Sequence, residues 1–378
     1  MKAATLRNWQ GVHRWTSLIC TVNLLLLCIT GFILMFHHEI DELLGQEVEI
    51  VRPDGAEMRP MQELLDIGQR MHPDLVPRVV TSSHEDPGMV FLSFGKPGVP
   101  DSPDDIWLVV NGFTGEMEPL RTPTQSFTRF ITQIHIDLFA GLPGQLFVGV
   151  MGLLFAVSTI SGLVLYGPFM KRLAFGLVRF GRHTRIVHTD LHNLFGVATL
   201  VWALVVGLTG TILSFSPLIL GVWQQTELAD MAARHAAPPP SRLVSVDTAI
   251  ASAQGAFPGE EFAFLLFPGT RYATERHYTV AVRGHTELSQ RMVSFAMVDG
   301  ETGALAEAAG SPWYIKALFL SGPFHFGDYG GLPLRILWAL FTLVTGAVTV
   351  TGFVVWLKRP RKRPEDRGAE QQGVKVRA

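Results

Sequence analysis

The sequence predicts an α-helical membrane protein with four transmembrane helices, arranged as two parallel tandem repeats that each carry an extracytoplasmic α+β insert. Three observations lead to this prediction. Of the 378 residues, 48% are apolar and only 17% are charged, a balance that is typical of membrane proteins. Four runs of at least twenty residues carry no charge. The second half of the chain repeats the first half.

Each uncharged run is long enough to cross a bilayer. A helix rises about 1.5 Å per residue, so about twenty residues cross a hydrocarbon core of about 30 Å. We therefore predict transmembrane helices over residues 15–37, 135–167, 191–216 and 332–357.

The distribution of positive charge predicts the orientation. The linker 168–190 contains Lys171, Arg172 and three further arginines, and the tail 358–378 opens with the run KRPRKRP. By the positive-inside rule, the linker, the tail and residues 1–14 are cytoplasmic. The inserts 38–134 and 217–325 then face outward, which means the periplasm in a Gram-negative host.

The repeat can be read directly from the sequence. Residues 192–215 align with residues 13–36 without a gap, at a shift of 179 that places His192 on His13. The other two apolar regions align at a shift of 190, which places His325 on His135. A tandem duplication with small insertions explains both shifts. Because each half crosses outward and returns, the two halves are parallel rather than inverted.

Each insert is predicted to contain a helix followed by strands. Apolar spacing predicts helices over residues 61–71 and 246–256. Alternating or β-branched runs predict strands over residues 79–81, 89–94, 106–110, 262–267, 278–282 and 292–298. Asn-Gly at position 111 and Asp-Gly at position 299 are turn signals, so each insert is predicted to be a small helix-plus-sheet module.

Four histidines occupy equivalent positions at the ends of the predicted spans. His13 and His192 lie toward the cytoplasmic face, and His135 and His325 toward the outer face. Two imidazoles on opposed helices suit a six-coordinate haem iron. Small residues leave room for a flat macrocycle: Gly31, Gly152, Ala156, Gly210, Gly346 and Ala347. We therefore predict two haem b groups, one held by His13 and His192 and the other by His135 and His325.

Several residues are secondary candidates for these sites. His38 ends the first span, and His188 lies one helical turn before His192, which it can replace as the inner ligand. Three arginines near span ends are candidates for binding haem propionates, although arginines there are also ordinary interfacial anchors: Arg14, Arg129 and Arg335. No further catalytic or substrate-binding residue is assigned.

Other interpretations remain open at this point. Histidines at helix ends also serve as interfacial anchors, as ligands of a non-haem metal, or as proton relays in a non-redox binding or transport protein. The sequence has no Rossmann or P-loop motif, so electrons would come from outside the chain, from quinol or a cytoplasmic reductase. His37, next to His38 at the end of the first span, is also a secondary candidate. The remaining histidines lack metal-ligand spacing and are predicted to be solvated: His72, His84, His183, His235, His277 and His285.

The sequence also resembles the PepSY-associated transmembrane family. The resemblance rests on His13-Arg14-Trp15, Thr30-Gly31, Asn-Gly-x-Thr-Gly from Asn111, His135 with Gly141-Leu142-Pro143-Gly144, Asp190-x-His192, and His325 followed by Thr351-Gly352 and Trp356. Within that family it is similar to dihaem reductases of the bacterial inner membrane. The resemblance implies reduction of a ferric siderophore in the periplasm with release of Fe(II). It also implies a regulatory PepSY-type role as an alternative.

Overall fold

The computed structural model describes residues 2–48, 50–83, 86, 88–99, 101–102, 104–170, 175–286 and 289–358. His84, Lys171, Arg172 and the basic tail from Arg359 onward lie outside the described residues. The chain divides into two compact units. We call residues 1–32, 150–207 and those from 339 onward the helical unit, and residues 33–149 and 208–338 the sheet unit.

The helices and strands alternate in long blocks along the chain. The helices of the described residues are α1 (Ala3–Leu34), α2 (His37–Leu43), α3 (Met61–Met71), α4 (Phe127–Asp137), α5 (Gly141–Met170), α6 (Thr184–Ala198), α7 (Leu200–Ser214), α8 (Ser216–Trp223), α9 (Ala229–Arg234), α10 (Val246–Ala256), α11 (Trp313–Phe326) and α12 (Gly331–Leu357). The strands are β1 (Val76–Ser82), β2 (Met89–Gly95), β3 (Ile106–Asn111), β4 (Met117–Pro119), β5 (Glu261–Leu266), β6 (His277–Arg283), β7 (Val293–Asp299) and β8 (Leu305–Gly310).

Three of these helices are long and apolar enough to cross a membrane, and a fourth candidate is a bent pair. The three are α1, the stretch Gly141–Pro168 of α5, and α12. Helices α6 and α7 qualify together, but they are bent by 69° at the break between them. By length and composition, the described residues therefore provide three to four candidate membrane helices.

The bend between α6 and α7 differs from the continuous helix predicted over residues 191–216. It occurs at Thr199, whose hydroxyl donates a hydrogen bond to the Phe195 carbonyl at 2.9 Å. A threonine hydroxyl that bonds the backbone one turn earlier commonly bends a helix. His192 consequently lies on the short helix α6, separate from the apolar helix α7.

The second candidate span also begins later than predicted. The prediction started at His135, whereas the structure ends α4 at Asp137 and starts α5 at Gly141. Leu138 and Phe139 between them have φ angles of 57° and 58°, in the left-handed region where a right-handed helix cannot continue. His135 therefore lies on a separate helix that precedes the span.

The two inserts form one eight-stranded antiparallel sheet, with the strand order β4-β3-β2-β1-β5-β6-β7-β8. Each insert supplies four consecutive strands, and the inserts meet where β1 pairs with β5, with Val80 opposite Leu265. The predicted helices over residues 61–71 and 246–256 are confirmed. The sequence predicted two separate modules, so the joined sheet and the edge strands β4 and β8 are new features.

Both faces of the sheet are covered by helices. On one face α3 and α10 pack on the strands through buried side chains such as Leu64, Val246 and Val280. On the other face, Phe295 of β7 packs with Ile315 of α11 and other apolar side chains. Ala296 belongs to the first cluster and Phe295 to the second, as expected for neighbours whose side chains point to opposite faces.

Asp247 and Gln62 cap each other's helices across the two inserts. The Asp247 carboxylate accepts hydrogen bonds from the backbone N–H groups of Met61 (2.9 Å) and Gln62 (3.0 Å), in the first turn of α3. The Gln62 side-chain oxygen accepts one from the Val246 N–H at 2.9 Å, at the start of α10. These side chains satisfy N–H groups that have no partner inside their own helix, and they connect the inserts.

Replacing Asp247 with alanine is expected to lower the free energy of unfolding of the sheet unit by about 1–2 kcal/mol, because two N–H groups of α3 lose their acceptor. Hydrogen exchange of the Met61 and Gln62 amides should accelerate in parallel. The exposed Asp54 provides the control, since Asp54→Ala should change stability by less than about 0.5 kcal/mol. Unchanged exchange in Asp247→Ala would contradict the capping role.

Candidate functional site

The helical unit brings His13 and His192 together. His13 lies on α1 and His192 on α6, and their ring centroids are 6.1 Å apart with the ring planes inclined by 66°. We call them the inner pair, after the face at which the sequence predicts them.

Each ring of the inner pair is held by a backbone carbonyl. His13 Nδ1 lies 2.9 Å from the Ser158 carbonyl oxygen, and His192 Nδ1 lies 2.9 Å from the Val348 carbonyl oxygen. A carbonyl oxygen only accepts, so Nδ1 must carry the proton and donate it. Each neutral ring therefore keeps the lone pair on Nε2, which is the tautomer that a metal ligand needs.

A glycine lies beside each ring of the inner pair. A Cβ added to Gly162 would lie 3.2 Å from His13 Cε1, and one added to Gly352 would lie 2.9 Å from His192 Cε1. Both distances are shorter than an ordinary van der Waals contact between carbon atoms, about 3.5–4.0 Å. Any larger residue at these two positions would displace the imidazole.

The sheet unit brings His135 and His325 together, and we call them the outer pair. His135 lies on α4 and His325 on α11, with ring centroids 6.3 Å apart and ring planes inclined by 55°. His325 Nδ1 lies 3.4 Å from Thr209 Oγ1, and a Cβ added to Gly210 would lie 2.7 Å from His325 Cε1. The outer pair therefore also has a glycine against one of its rings.

The environment of His135 keeps its ring neutral. Burial, with a smaller contribution from repulsion by His325, lowers the pKa of His135 to about 3. Burial penalises the charged imidazolium, so the pKa falls. Above about pH 3 the ring is unprotonated at one nitrogen and has a lone pair for a metal.

The spacing of both pairs fits two imidazoles that share one iron. An imidazole nitrogen binds a transition metal at about 2.0 Å and lies about 1.1 Å from its ring centroid, so two rings on opposite sides of one metal have centroids about 6.2 Å apart. The observed separations are 6.1 and 6.3 Å. Haem iron in a six-coordinate site takes two such axial ligands from the protein.

The buried side chains of the helical unit are mostly small, which also fits a flat macrocycle. Small residues let a planar group lie close to the helix backbone. Among the described residues of this unit, the buried small side chains are Cys20, Thr21, Thr30, Ala156, Ser158, Ser161, Thr199, Ala203, Ala339, Thr342, Thr345 and Thr351. The residues present therefore fit haem at the inner pair, by ring spacing and by tautomer.

A protein-only metal site has less support. Within the part of the chain that the structure describes, no group of three or more His, Cys, Asp or Glu residues is placed to hold a metal ion. Structural zinc sites take four protein ligands and catalytic ones three. Pairs of histidines are the arrangement that an axially ligated porphyrin uses, because the macrocycle supplies the other ligands.

The secondary histidine candidates do not join either pair. His38 is exposed, packs against His37 with ring centroids 4.2 Å apart and ring planes inclined by 35°, and lies 3.7 Å from the Glu47 carboxylate. His188 lies one turn before His192 on α6, and its buried Nδ1 has no hydrogen-bond partner among the described residues. The ring that faces His13 is that of His192.

The three candidate arginines have different surroundings. The Arg14 guanidinium lies 5.2 Å from the centroid of the Trp15 ring. Arg335 forms an ion pair with Glu39 and lies 5.8 Å from the Phe36 ring centroid. Arg129 is an exposed residue. Partial desolvation of its guanidinium lowers the pKa of Arg129, and the nearby Asp41 carboxylate opposes that shift.

An ion pair that the sequence did not predict lies next to His192. The Asp190 carboxylate is 1% exposed and accepts hydrogen bonds from Arg179 Nε (2.9 Å), Nη2 (2.8 Å) and the backbone N–H (3.1 Å). The bidentate geometry fixes both partners. In the sequence Arg179 is one of the arginines of the basic linker, and no local signal links it to Asp190, eleven positions away.

Replacing Arg179 with alanine is expected to destabilise the protein by about 2 kcal/mol. Removing one partner of a fully buried ion pair costs about 3–5 kcal/mol, and the Arg179 side chain is 35% exposed, which reduces the cost. Thermal unfolding in detergent measures this. The exposed Arg182 supplies the control variant Arg182→Ala, and adding Asp190→Asn to Arg179→Ala should recover part of the loss. Equal stability of both arginine variants would contradict this account.

His277 is not a solvated surface group, which corrects the sequence prediction. His277 is 3% exposed. Its Nδ1 lies 2.9 Å from Thr274 Oγ1, and its ring centroid is 6.3 Å from that of His235. Burial lowers the pKa of His277. His235 in turn lies 3.1 Å from the Glu307 carboxylate. Strand β6 begins at His277, and the joined sheet buries it.

Comparison with known proteins supports the family resemblance. Residues 10–359 match the PepSY-associated TM region. The chain is also 23% identical over 260 residues to an uncharacterised protein of Pseudomonas aeruginosa. That alignment covers 63% of this chain and 65% of the relative, so the match is below two-thirds of the relative's length. The family match, in contrast, extends over most of the sequence, and the chain belongs to the PepSY-associated transmembrane family.

Proposed function

We propose that this protein is a dihaem b ferric-siderophore reductase of the bacterial inner membrane. It would carry electrons from the cytoplasmic side to a ferric siderophore in the periplasm, where Fe(II) is released. The observation that carries this proposal is the ring spacing of the two histidine pairs, 6.1 and 6.3 Å. Two separate pairs with the same metal-compatible spacing favour a relay over a single structural metal.

The inner-pair contacts support the two-repeat layout. Ser158 holds His13 and Val348 holds His192, and these acceptors are 190 positions apart. Gly162 and Gly352, which lie beside the same rings, are separated by the same interval. The aligned shift of 190 in the sequence thus relates equivalent contacts in the two halves, as expected for a tandem duplication.

The turns of the two inserts support the same layout. Asn111 Oδ1 accepts hydrogen bonds from the N–H groups two and three residues later, and Asp299 Oδ1 does the same. Gly115 and Gly303 then adopt positive φ angles of 79° and 72°, which glycine adopts without strain. One ancestral insert with this turn explains both copies.

The protein's own groups have defined roles in this proposal. When bound, two haem b groups would supply reversible one-electron chemistry at the two histidine pairs. The carbonyls of Ser158 and Val348 orient the inner imidazoles and increase their basicity as ligands. The sheet unit would bind the ferric siderophore. Both termini and the basic linker are placed in the cytoplasm by the positive-inside rule.

The electron balance of the reaction is simple. Each Fe(III) takes one electron and becomes Fe(II), and the chelator is released unchanged. The donor is a quinol or a cytoplasmic reductase, because the sequence contains no nicotinamide-binding motif. A quinol gives two electrons and two protons, and therefore reduces two ferric ions.

The reductase activity is tested by mixing reduced protein with a ferric trihydroxamate chelate and an Fe(II)-selective dye in the absence of oxygen. We expect the reduced absorption bands to disappear as about two Fe(II) ions form per protein. The matched control is the double variant His135→Ala/His325→Ala, which should form Fe(II) far more slowly. Reduced bands that persist while no Fe(II) forms would contradict the proposal and favour a non-redox transport or regulatory role.

A further inference from the structure

Two buried nitrogen atoms beside the inner pair have no hydrogen-bond partner among the described residues. They are Arg14 Nε and His188 Nδ1. Arg14 directly follows His13 on α1, and His188 precedes His192 by one turn of α6. Both elements that carry the inner pair therefore present an unsatisfied polar atom next to their histidine.

An unsatisfied buried polar group is unfavourable. Leaving a donor without a partner costs about 1–3 kcal/mol, and more for a charged group. Buried polar side chains in proteins almost always have a partner, so each exception calls for a group that has not been counted. Arg14 and His188 are such exceptions.

The position of the two side chains places them at the same histidine pair. Residues four apart on a helix are neighbours with Cβ atoms about 5–6 Å apart, so His188 lies on the same face of α6 as His192. Arg14 directly follows His13 on α1 and so lies on a neighbouring face of that helix, where its guanidinium is 5.2 Å from the centroid of the Trp15 ring.

The chemistry of the two groups selects an anionic partner. Arginine is always positively charged and only donates hydrogen bonds, and His188 Nδ1 donates one in the Nδ1–H tautomer and in the imidazolium. The nearby acid Asp190 does not serve as acceptor, because its carboxylate is already bound by three N–H groups of Arg179. A carboxylate from a bound group would satisfy both donors.

We propose that Arg14 and His188 bind a carboxylate of the haem that His13 and His192 ligate, so His188 is a carboxylate-binding residue and not an iron ligand. This proposal rests on the proposed function, since it requires haem at the inner pair. It assigns separate roles to the two histidines of α6: His192 binds the metal, and His188 binds the edge of the same group one turn away.

The test combines substitutions in the protein with blocked carboxylates on the haem, and compares the haem dissociation rates of all four combinations. His188→Ala and Arg14→Gln are each loaded with haem or with haem dimethyl ester, whose carboxylates are blocked, and transfer of haem to an excess of apomyoglobin gives the dissociation rate. With haem, each variant should lose its inner haem about tenfold faster than the unmodified protein, as expected for one charge-assisted hydrogen bond. With the ester, the variants and the unmodified protein should agree within about twofold.

Two further variants sharpen the result. His188→Asn keeps a donor near the position of Nδ1 and should restore most of the lost retention, whereas His183→Ala, at the exposed start of α6, should have no effect. The inner centre should stay low-spin in His188→Ala. A high-spin spectrum in His188→Ala together with a low-spin spectrum in His192→Ala would overturn the proposal, because His188 would then be the iron ligand.

The remaining outcomes separate this proposal from the proposed function. If the substitutions accelerate dissociation of haem and of its dimethyl ester equally, the carboxylate assignment is overturned. If that acceleration also requires anionic lipid, the anion that binds the two side chains is a lipid phosphate. The proposed function survives either result. An unmodified protein that takes up no inner haem would overturn the proposed function and this proposal together.

Discussion

Replacing His325 with alanine is expected to remove one of two haems and to leave the other in place. The structure places His325 opposite His135 in the sheet unit, while His13 faces His192 within the helical unit. Because alanine supplies no ligand, the outer pair would offer only His135 to a haem, which would then be held too weakly to remain as a low-spin centre. Pyridine haemochrome analysis should fall from about two haems per protein to about one, and the low-spin electron paramagnetic resonance signal should halve.

The four histidine variants together define the pairing. His135→Ala should give the same spectrum as His325→Ala, and His13→Ala or His192→Ala should each remove the other haem. The exposed His285, which lies 3.0 Å from the Glu261 carboxylate, supplies the control His285→Ala with full haem content. A His325→Ala protein that keeps both haems or loses both would show that the pairing is wrong.

Replacing any of the three glycines beside the histidine rings with alanine is expected to reduce haem retention, and most where the added Cβ would lie closest to the ring. The added Cβ would lie 2.7 Å from His325 for Gly210→Ala, 2.9 Å from His192 for Gly352→Ala and 3.2 Å from His13 for Gly162→Ala. Overpacking of this kind costs about 1–3 kcal/mol, which corresponds to about five- to 150-fold weaker binding. Gly210→Ala should therefore lose the outer haem most readily, and Gly162→Ala should retain the inner haem best.

The matched control for this series lies on α6. A Cβ at Gly196 would meet nothing within 4 Å, so Gly196→Ala should keep both haems and should slightly stabilise the helix. Titration of the apoprotein with haem gives the affinities. A series in which all four alanine variants bind haem equally would contradict close packing of glycine against the rings.

The helices of the inserts were predictable because their signals are local. Residues 61–71 and 246–256 show helical apolar spacing, and the structure has helices with these bounds. The histidine pairs were predictable for another reason. The repeat in the sequence aligns His192 with His13 and His325 with His135, which predicts that each pair lies at one level, and the structure brings the rings of each pair together.

The remaining features depend on contacts between distant residues. The pairing of β1 with β5 joins segments about 185 positions apart, and no spacing within either strand specifies that partner. The carbonyls that hold the inner rings belong to Ser158 and Val348. Every residue has a backbone carbonyl, so the sequence does not mark these two as acceptors. The bend at Thr199 likewise depends on one hydroxyl bond, which the hydropathy of α6 and α7 does not reveal.

The most direct test of the central claim is the optical spectrum of the purified, folded protein, combined with its haem-to-protein ratio. The two histidine pairs predict about two haems b per chain, a Soret band, and sharp α-bands after reduction that are typical of bis-imidazole low-spin iron. A protein with intact helical circular dichroism that remains colourless after supply of haem would contradict the claim that these histidines ligate iron porphyrin.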